Sequence, residues 1–160
     1  MNSKKLNYKE MTLVFFLAIL VRYLFSFFSG VDNFAGPDAI RYIEQSDGIL
    51  AGDYNLEAKL FITAPLFSYI FAGFKWIFHS NYVVALEAFQ ILLSGASAVF
   101  LMCTANVTFK NRMTSLLTGL AYCLYPVTLY YVHQFSQESI FQSLFIISIF
   151  ISYGISLYFN

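Results

Sequence analysis

Charge is scarce in this sequence: Lys, Arg, Asp and Glu make up 11% of the residues, against about 25% in an ordinary soluble domain. Proline occurs three times and cysteine twice, so neither a proline-rich linker nor a disulfide framework organises the chain. Cys103 and Cys123 lie inside apolar runs without the spacing of a redox or metal motif, and they read as packing residues. Nine basic and nine acidic residues cancel, which removes the electrostatic reason to expect nucleic acid as a partner. Internal repeats and low-complexity tracts are absent as well.

What is present in quantity is apolar: 59% hydrophobic residues, 20% aromatic, and a mean hydropathy of +0.65. A soluble domain of this size has too little interior to hide that surface, so the expected solvent is the bilayer and the expected fold class is all-α integral membrane. A crossing helix needs about 20 apolar residues. The runs 11–28, 82–105, 113–132 and 139–159 predict four such transmembrane helices. Residues 1–10, with Lys4, Lys5 and Lys9, read as a cytoplasmic tail. The run after them is too long for a signal-peptide core and lacks a clean cleavage site, which predicts an uncleaved first span.

Segment 64–78 is interrupted by Pro65, Gly73 and Lys75 and makes only about 22 Å of helix. It is predicted to lie at the membrane interface with Lys75 and Trp76 at headgroup level; if it crosses, the spans number five. Basic residues in short flanking segments prefer the cytoplasm. Four spans leave Lys4, Lys5, Lys9, Lys110 and Arg112 inside and Arg41, Lys59 and Lys75 outside, narrowly better than five. The expectation is a protein integral to a bacterial plasma membrane, in contact with membrane lipid, with a cytoplasmic N-terminus and an external first loop over 29–80.

That loop holds six of the nine acids: Asp32, Asp38, Glu44, Asp47, Asp53 and Glu57. Within it a helix is predicted near 37–50, opened by Gly36 and Pro37 and closed by Gly48 and Gly52. Asp38 then sits in the first turn, where free N–H groups and the helix dipole favour the ionised carboxylate, as a base or a metal ligand requires. Arg41, Tyr42 and Gln45 follow at i+3, i+4 and i+7, a cation, a phenol and an amide suited to a phosphate and sugar hydroxyls. The plain structural alternative is that Asp38 caps the helix and pairs with Arg41. The four-span topology brings the 133–138 loop to the same face, so that Asp38 and Glu138 can share one site.

Two charges fall inside spans, Arg22 and Glu87, about 10 and 9 Å below the outer ends by helical rise. They are predicted either to form an ion pair between neighbouring helices or to snorkel outward separately. The run Ser94-Gly95-Ala96-Ser97-Ala98 predicts close helix approach, and Pro126 predicts a kink or an end in the third span.

Taken in order, Asp38 with Arg41-Tyr42, Ala64-Pro65-Leu66, Leu124-Tyr125-Pro126 and Ser136-Gln137-Glu138 resemble the pattern of GT-C glycosyltransferases. The likeness is greatest to the dolichyl-phosphate-mannose protein mannosyltransferase-like group. The resemblance implies inverting transfer of a sugar from a polyprenyl-phosphate-linked donor to an acceptor at the external membrane face. It implies Asp38 as general base or metal ligand, Glu138 as a second acid orienting acceptor or metal, and a divalent metal ion as cofactor. His133 is a further candidate ligand, although an interfacial role outweighs it. The chain departs from the family at Glu87, where an Arg is common, and at Ala64-Pro65, where two prolines are common. Family members continue through further spans, so the resemblance implies the N-terminal portion of an enzyme, either a truncated or split reading frame completed by a C-terminal polypeptide or a remnant without activity of its own. The competing readings are a non-enzymatic membrane accessory or assembly protein, and a small transporter using Arg22 and Glu87. Shallow charges and the lack of an inverted repeat count against the transporter.

Overall fold

The structure, a computed structural model, describes residues 6–30, 37–54 and 65–159. Every regular element among them is helical: α1 (Tyr8–Ser29), α2 (Pro37–Leu50), α3 (Pro65–Phe78), α4 (Tyr82–Phe109), α5 (Arg112–Leu124), α6 (Pro126–Tyr131) and α7 (Gln137–Phe159). The chain is therefore all-α. Gly36, Lys59 and Ala64, used in the sequence reading, lie outside the described residues.

Caps, and not hydropathy, set the helix ends. At the start of α1 the Asn7 side chain accepts from the Lys9 N–H at 3.2 Å, and the Glu10 carboxylate accepts from the Asn7 N–H at 3.1 Å. This capping box starts the helix three residues before the apolar run. The Asn111 side chain caps α5 in the same way, accepting from Met113 and Thr114. The expected span 113–132 is not one helix. Tyr125 is extended (φ −69°, ψ 115°) ahead of Pro126, which stops α5 after 13 residues, about 20 Å, and opens the six-residue α6. The Thr128 hydroxyl turns back to the Tyr125 carbonyl at 2.8 Å, joining the Thr128 and Leu129 N–H groups that already donate to that oxygen.

α4 is the central helix, with α1, α5 and α7 packed on it. Successive bundle helices run in opposite directions. Glu10 at the start of α1 is paired with Arg112 at the start of α5. Arg22, late in α1, bonds Ser94 in the first half of α4, and His133, just before α7, meets Glu87 near the start of α4. One end of the bundle thus gathers Lys9, Glu10, Lys110 and Arg112, and the other gathers α2, α3, α6 and the start of α7.

The bundle interior is built from small and polar side chains, among them Ala18, Ser94, Gly95, Ser97, Ala98, Ser115 and Gly119. A Cβ on Gly95 would sit 3.2–3.3 Å from Phe15 and Ile19, so glycine is what lets α1 approach α4. The outward faces carry Leu13, Phe16, Leu20, Leu92, Leu117 and Phe145, all exposed. Inside, the small and polar groups sit beside Val14, Met102, Tyr122 and Ile146, so the bundle is more polar within and more apolar without than a water-soluble one. Two stretches, Tyr8–Ser29 and Pro65–Phe109, are long and apolar enough to cross a membrane.

The second stretch is not a straight rod. At His79 the backbone takes φ 48° and the chain turns, so that Phe74 of α3 meets Phe89 of α4 at 5.4 Å between ring centroids. α3 instead packs on α2, with Ala39 and Tyr42 clustered among Phe67, Phe71, Leu86, Phe135 and Ile140. Trp76 is exposed, but Lys75 is not directed at headgroups as expected: its Nζ donates to Asp47 at 2.6 Å and to the Ile43 carbonyl at 3.3 Å. The rings of Phe71 and Tyr82, each about 5.5 Å away, hold the ammonium in the α2–α3 seam, where a desolvated cation is worth most beside a carboxylate.

Candidate functional site

α2 has one apolar stripe, Ala39, Tyr42 and Ile49, and burying it decides which of its polar groups reach the surface. Asp38 and Arg41 stay outside with about half of each side chain exposed, and Arg41 Nη1 donates to Asp38 Oδ1 at 3.3 Å. Tyr42 and Gln45, expected as substrate ligands, turn inward. The Tyr42 ring lies edge-on to Phe67 at 4.6 Å, and Gln45 accepts from the Ser68 hydroxyl. Both hold α2 to α3. Spacing alone grouped the four residues on one broad face; the apolar stripe splits that face in two.

Glu138 is exposed in the first turn of α7. Phe135 and Ile140, on either side of it in sequence, share the cluster of Ala39 and Tyr42, which flank Asp38 in the same way. Asp38 and Glu138 accordingly stand at the same end of the bundle. Among the described residues no hydrogen bond or ion pair joins them, and no three His, Cys, Asp or Glu side chains are grouped to hold a metal ion. Arg41 also places a cation where a metal on Asp38 would need a donor, so the described residues do not fit a metal ion there.

A second polar cluster lies inside the bundle at this end. Arg22 is fully buried. Its Nε donates to Ser94 Oγ at 2.8 Å, its Nη1 to the Ala18 carbonyl at 2.9 Å, and its guanidinium lies 5.4 Å from the centre of the Tyr122 ring. Glu87 Oε1 is 2.7 Å from His133 Nδ1 and 3.5 Å from the Ser26 hydroxyl. His133, itself fully buried, places Nε2 2.9 Å from the Arg22 carbonyl oxygen and stacks on Phe25. One turn along α4, Gln90 donates to the Gln134 carbonyl at 3.2 Å. The connector 132–136 is thus tied to α1 and α4 by side chains.

The direct Arg22–Glu87 ion pair expected from the sequence is not formed, and neither alternative of outward snorkelling holds for Arg22. Side chains on a helix lean toward its N-terminus. Arg22 therefore reaches back to Ala18 and across to Ser94, two turns past Glu87 on α4. The imidazole of His133 fills the place beside Glu87 and links it to α1 through the Arg22 carbonyl. From the sequence His133 is a candidate ligand or, in preference, an interfacial residue; the structure buries it instead. Two features of the sequence bore on its true position: a carboxylate inside an apolar run without a certain partner, and a histidine in the loop returning to the same end.

Comparison of the chain with protein-family models, curated proteins and solved structures returns no match.

Proposed function

We propose that the chain works within a membrane as a GT-C-type glycosyltransferase unit, passing a sugar from a polyprenyl-phosphate-linked donor to an acceptor at the external face. The observation that carries this reading is that Asp38 and Glu138 both stand at one end of the bundle, beside α2 and α3. The polarity of the bundle supports a lipid setting in which α1, α4, the α5–α6 pair and α7 each cross. Lys9, Lys110 and Arg112 at the opposite end agree with that end being cytoplasmic.

In the proposed reaction the ionised Asp38 takes the proton of the acceptor hydroxyl as its oxygen bonds to the anomeric carbon. The bond from that carbon to the phosphate oxygen breaks on the opposite side, and the lipid phosphate leaves with the electron pair. Arg41 meets the phosphate charge, and Glu138 orients the acceptor. Membranes carrying wild type or Asp38→Ala are supplied with radiolabelled polyprenyl-phosphate sugar. The expected result is a fall in transfer of about a hundredfold or more, the scale of a lost general base; equal transfer overturns the assignment.

One observation favours a second reading, a non-enzymatic assembly partner: Tyr42 and Gln45 are consumed by the α2–α3 contact and Asp38 sits in an ordinary exposed pair. On that reading Asp38→Asn leaves the cellular phenotype intact, whereas substitutions that open the α2–α3 contact abolish it.

A further inference from the structure

Both ring nitrogens of His133 face oxygen acceptors, the Arg22 carbonyl at 2.9 Å from Nε2 and Glu87 Oε1 at 2.7 Å from Nδ1. A carbonyl oxygen only accepts, so Nε2 carries a hydrogen. A neutral imidazole has no second N–H. Nδ1 at 2.7 Å from a carboxylate oxygen then requires one more proton between them, either as imidazolium against carboxylate or as imidazole against carboxylic acid. In both arrangements the Glu87–His133 pair is neutral.

We propose that Glu87 and His133 share one buried proton, and that this proton latches the 132–136 connector, and through it the α2–α3 layer, onto α1 and α4. The proposal does not depend on the glycosyltransferase reading. Several groups among the described residues face the pair. From α1 come the Arg22 carbonyl, the Ser26 hydroxyl and the Phe25 ring, with the Arg22 guanidinium turned away toward Ser94 and Tyr122 of α5. From α4 come Glu87 and Gln90, and the connector adds Gln134. Glu138, five residues past His133, is exposed.

The mechanical link runs through Phe135, two residues beyond His133. Its ring stands edge-on to Phe71 of α3 at 5.3 Å and lies in the cluster that includes Ala39 and Tyr42 of α2. With the shared proton gone, two lone pairs oppose each other at 2.7 Å, and the connector has to move away from Glu87. Phe135 moves with it. The latch is closed while the proton is held and opens as the pH is raised.

The test uses the full chain in lipid nanodiscs with histidine ring nitrogens labelled by 15N; the sequence has two histidines, so His79→Gln assigns the signals. Wild-type His133 is expected to show a protonated Nε2 and a proton shared at Nδ1. A bare Nδ1 at every pH overturns the proposal. Amide exchange over 132–136 is then compared, at each pH, between wild type and Glu87→Gln, whose amide N–H bridges to a neutral Nδ1 without a titrating proton. The ratio of wild-type to variant rates is expected to climb about tenfold with rising pH, the equivalent of about 1.4 kcal/mol of lost latch. A flat ratio beside a shared proton overturns the latch. His133→Gln, which keeps a donor toward Glu87, serves as a second reference, and the ring-nitrogen spectrum of wild type decides alone if neither variant folds.

Discussion

Two polar clusters occupy the same end of the molecule and deal with water in opposite ways. Inside, Arg22 Nε and Nη1 are taken up by Ser94 and the Ala18 carbonyl while its Nη2 finds no hydrogen-bond partner among the described residues, and Glu87 and His133 meet each other, Ser26 and the Arg22 carbonyl. Asp38 and Arg41 rest half in solvent with one long contact between them. Burying charge is costly and each partner present offsets part of that cost, so the inner cluster tolerates little further loss. The outer pair contributes little to stability and is correspondingly available to a ligand. The contrast separates what holds this end together from what can react there.

The sharpest way to break that contrast is at His133. His133→Ala takes the ring from between Glu87 and α1 and is expected to cost about 3–5 kcal/mol, the range for removing one member of a buried charged pair. Thermal unfolding in detergent measures it, and a loss no larger than that of Asp38→Ala ends the distinction between the clusters. Gly95→Val presses a branched side chain into Phe15 and Ile19, with an expected loss of about 1–3 kcal/mol by denaturant titration. An undisturbed protein would mean that α1 and α4 are not in close contact. Ser68→Ala removes the hydroxyl that donates to Gln45, and about 1 kcal/mol should go with it. Smaller still, Asp38→Asn is expected to leave the melting temperature within error while abolishing sugar transfer, which separates chemistry from folding at one atom. Glu10→Gln, at the far end, keeps an acceptor for the Asn7 N–H and loses only the charge facing the half-exposed Arg112, so it is expected to cost less than about 1 kcal/mol and to leave transfer unchanged.

Much of the scaffold was legible. The boundaries of α2 follow from Pro37 and the glycines after it, the shortness of α3 from its interruptions, and the break before α6 from Pro126. These features act locally, through backbone geometry, and so are written in neighbouring residues. The site was harder to read because its partners are distant in sequence. Helical spacing groups Asp38, Arg41, Tyr42 and Gln45, yet only contact with Phe67 and Ser68 of α3 shows that two of them turn inward. Likewise, depth along a helix set Arg22 opposite Glu87, yet the guanidinium bonds Ser94, two turns further along α4. The lean of the arginine toward Ala18 opened the gap that His133 fills.

The early end of α5 has a consequence for the lipid around the molecule. In the membrane setting proposed above, α1 offers about 33 Å of helix and α4 about 42 Å, but α5 only about 20 Å before the chain changes direction. A hydrocarbon layer of about 30 Å does not fit all three. The mismatch falls on one side of the protein, and the bilayer meets it by thinning beside α5 or the chain by bending further at Tyr125. Short-chain lipids should therefore stabilise the protein more than long-chain ones. The thinned side would also bring the membrane surface down toward the face that carries α6 and the start of α7.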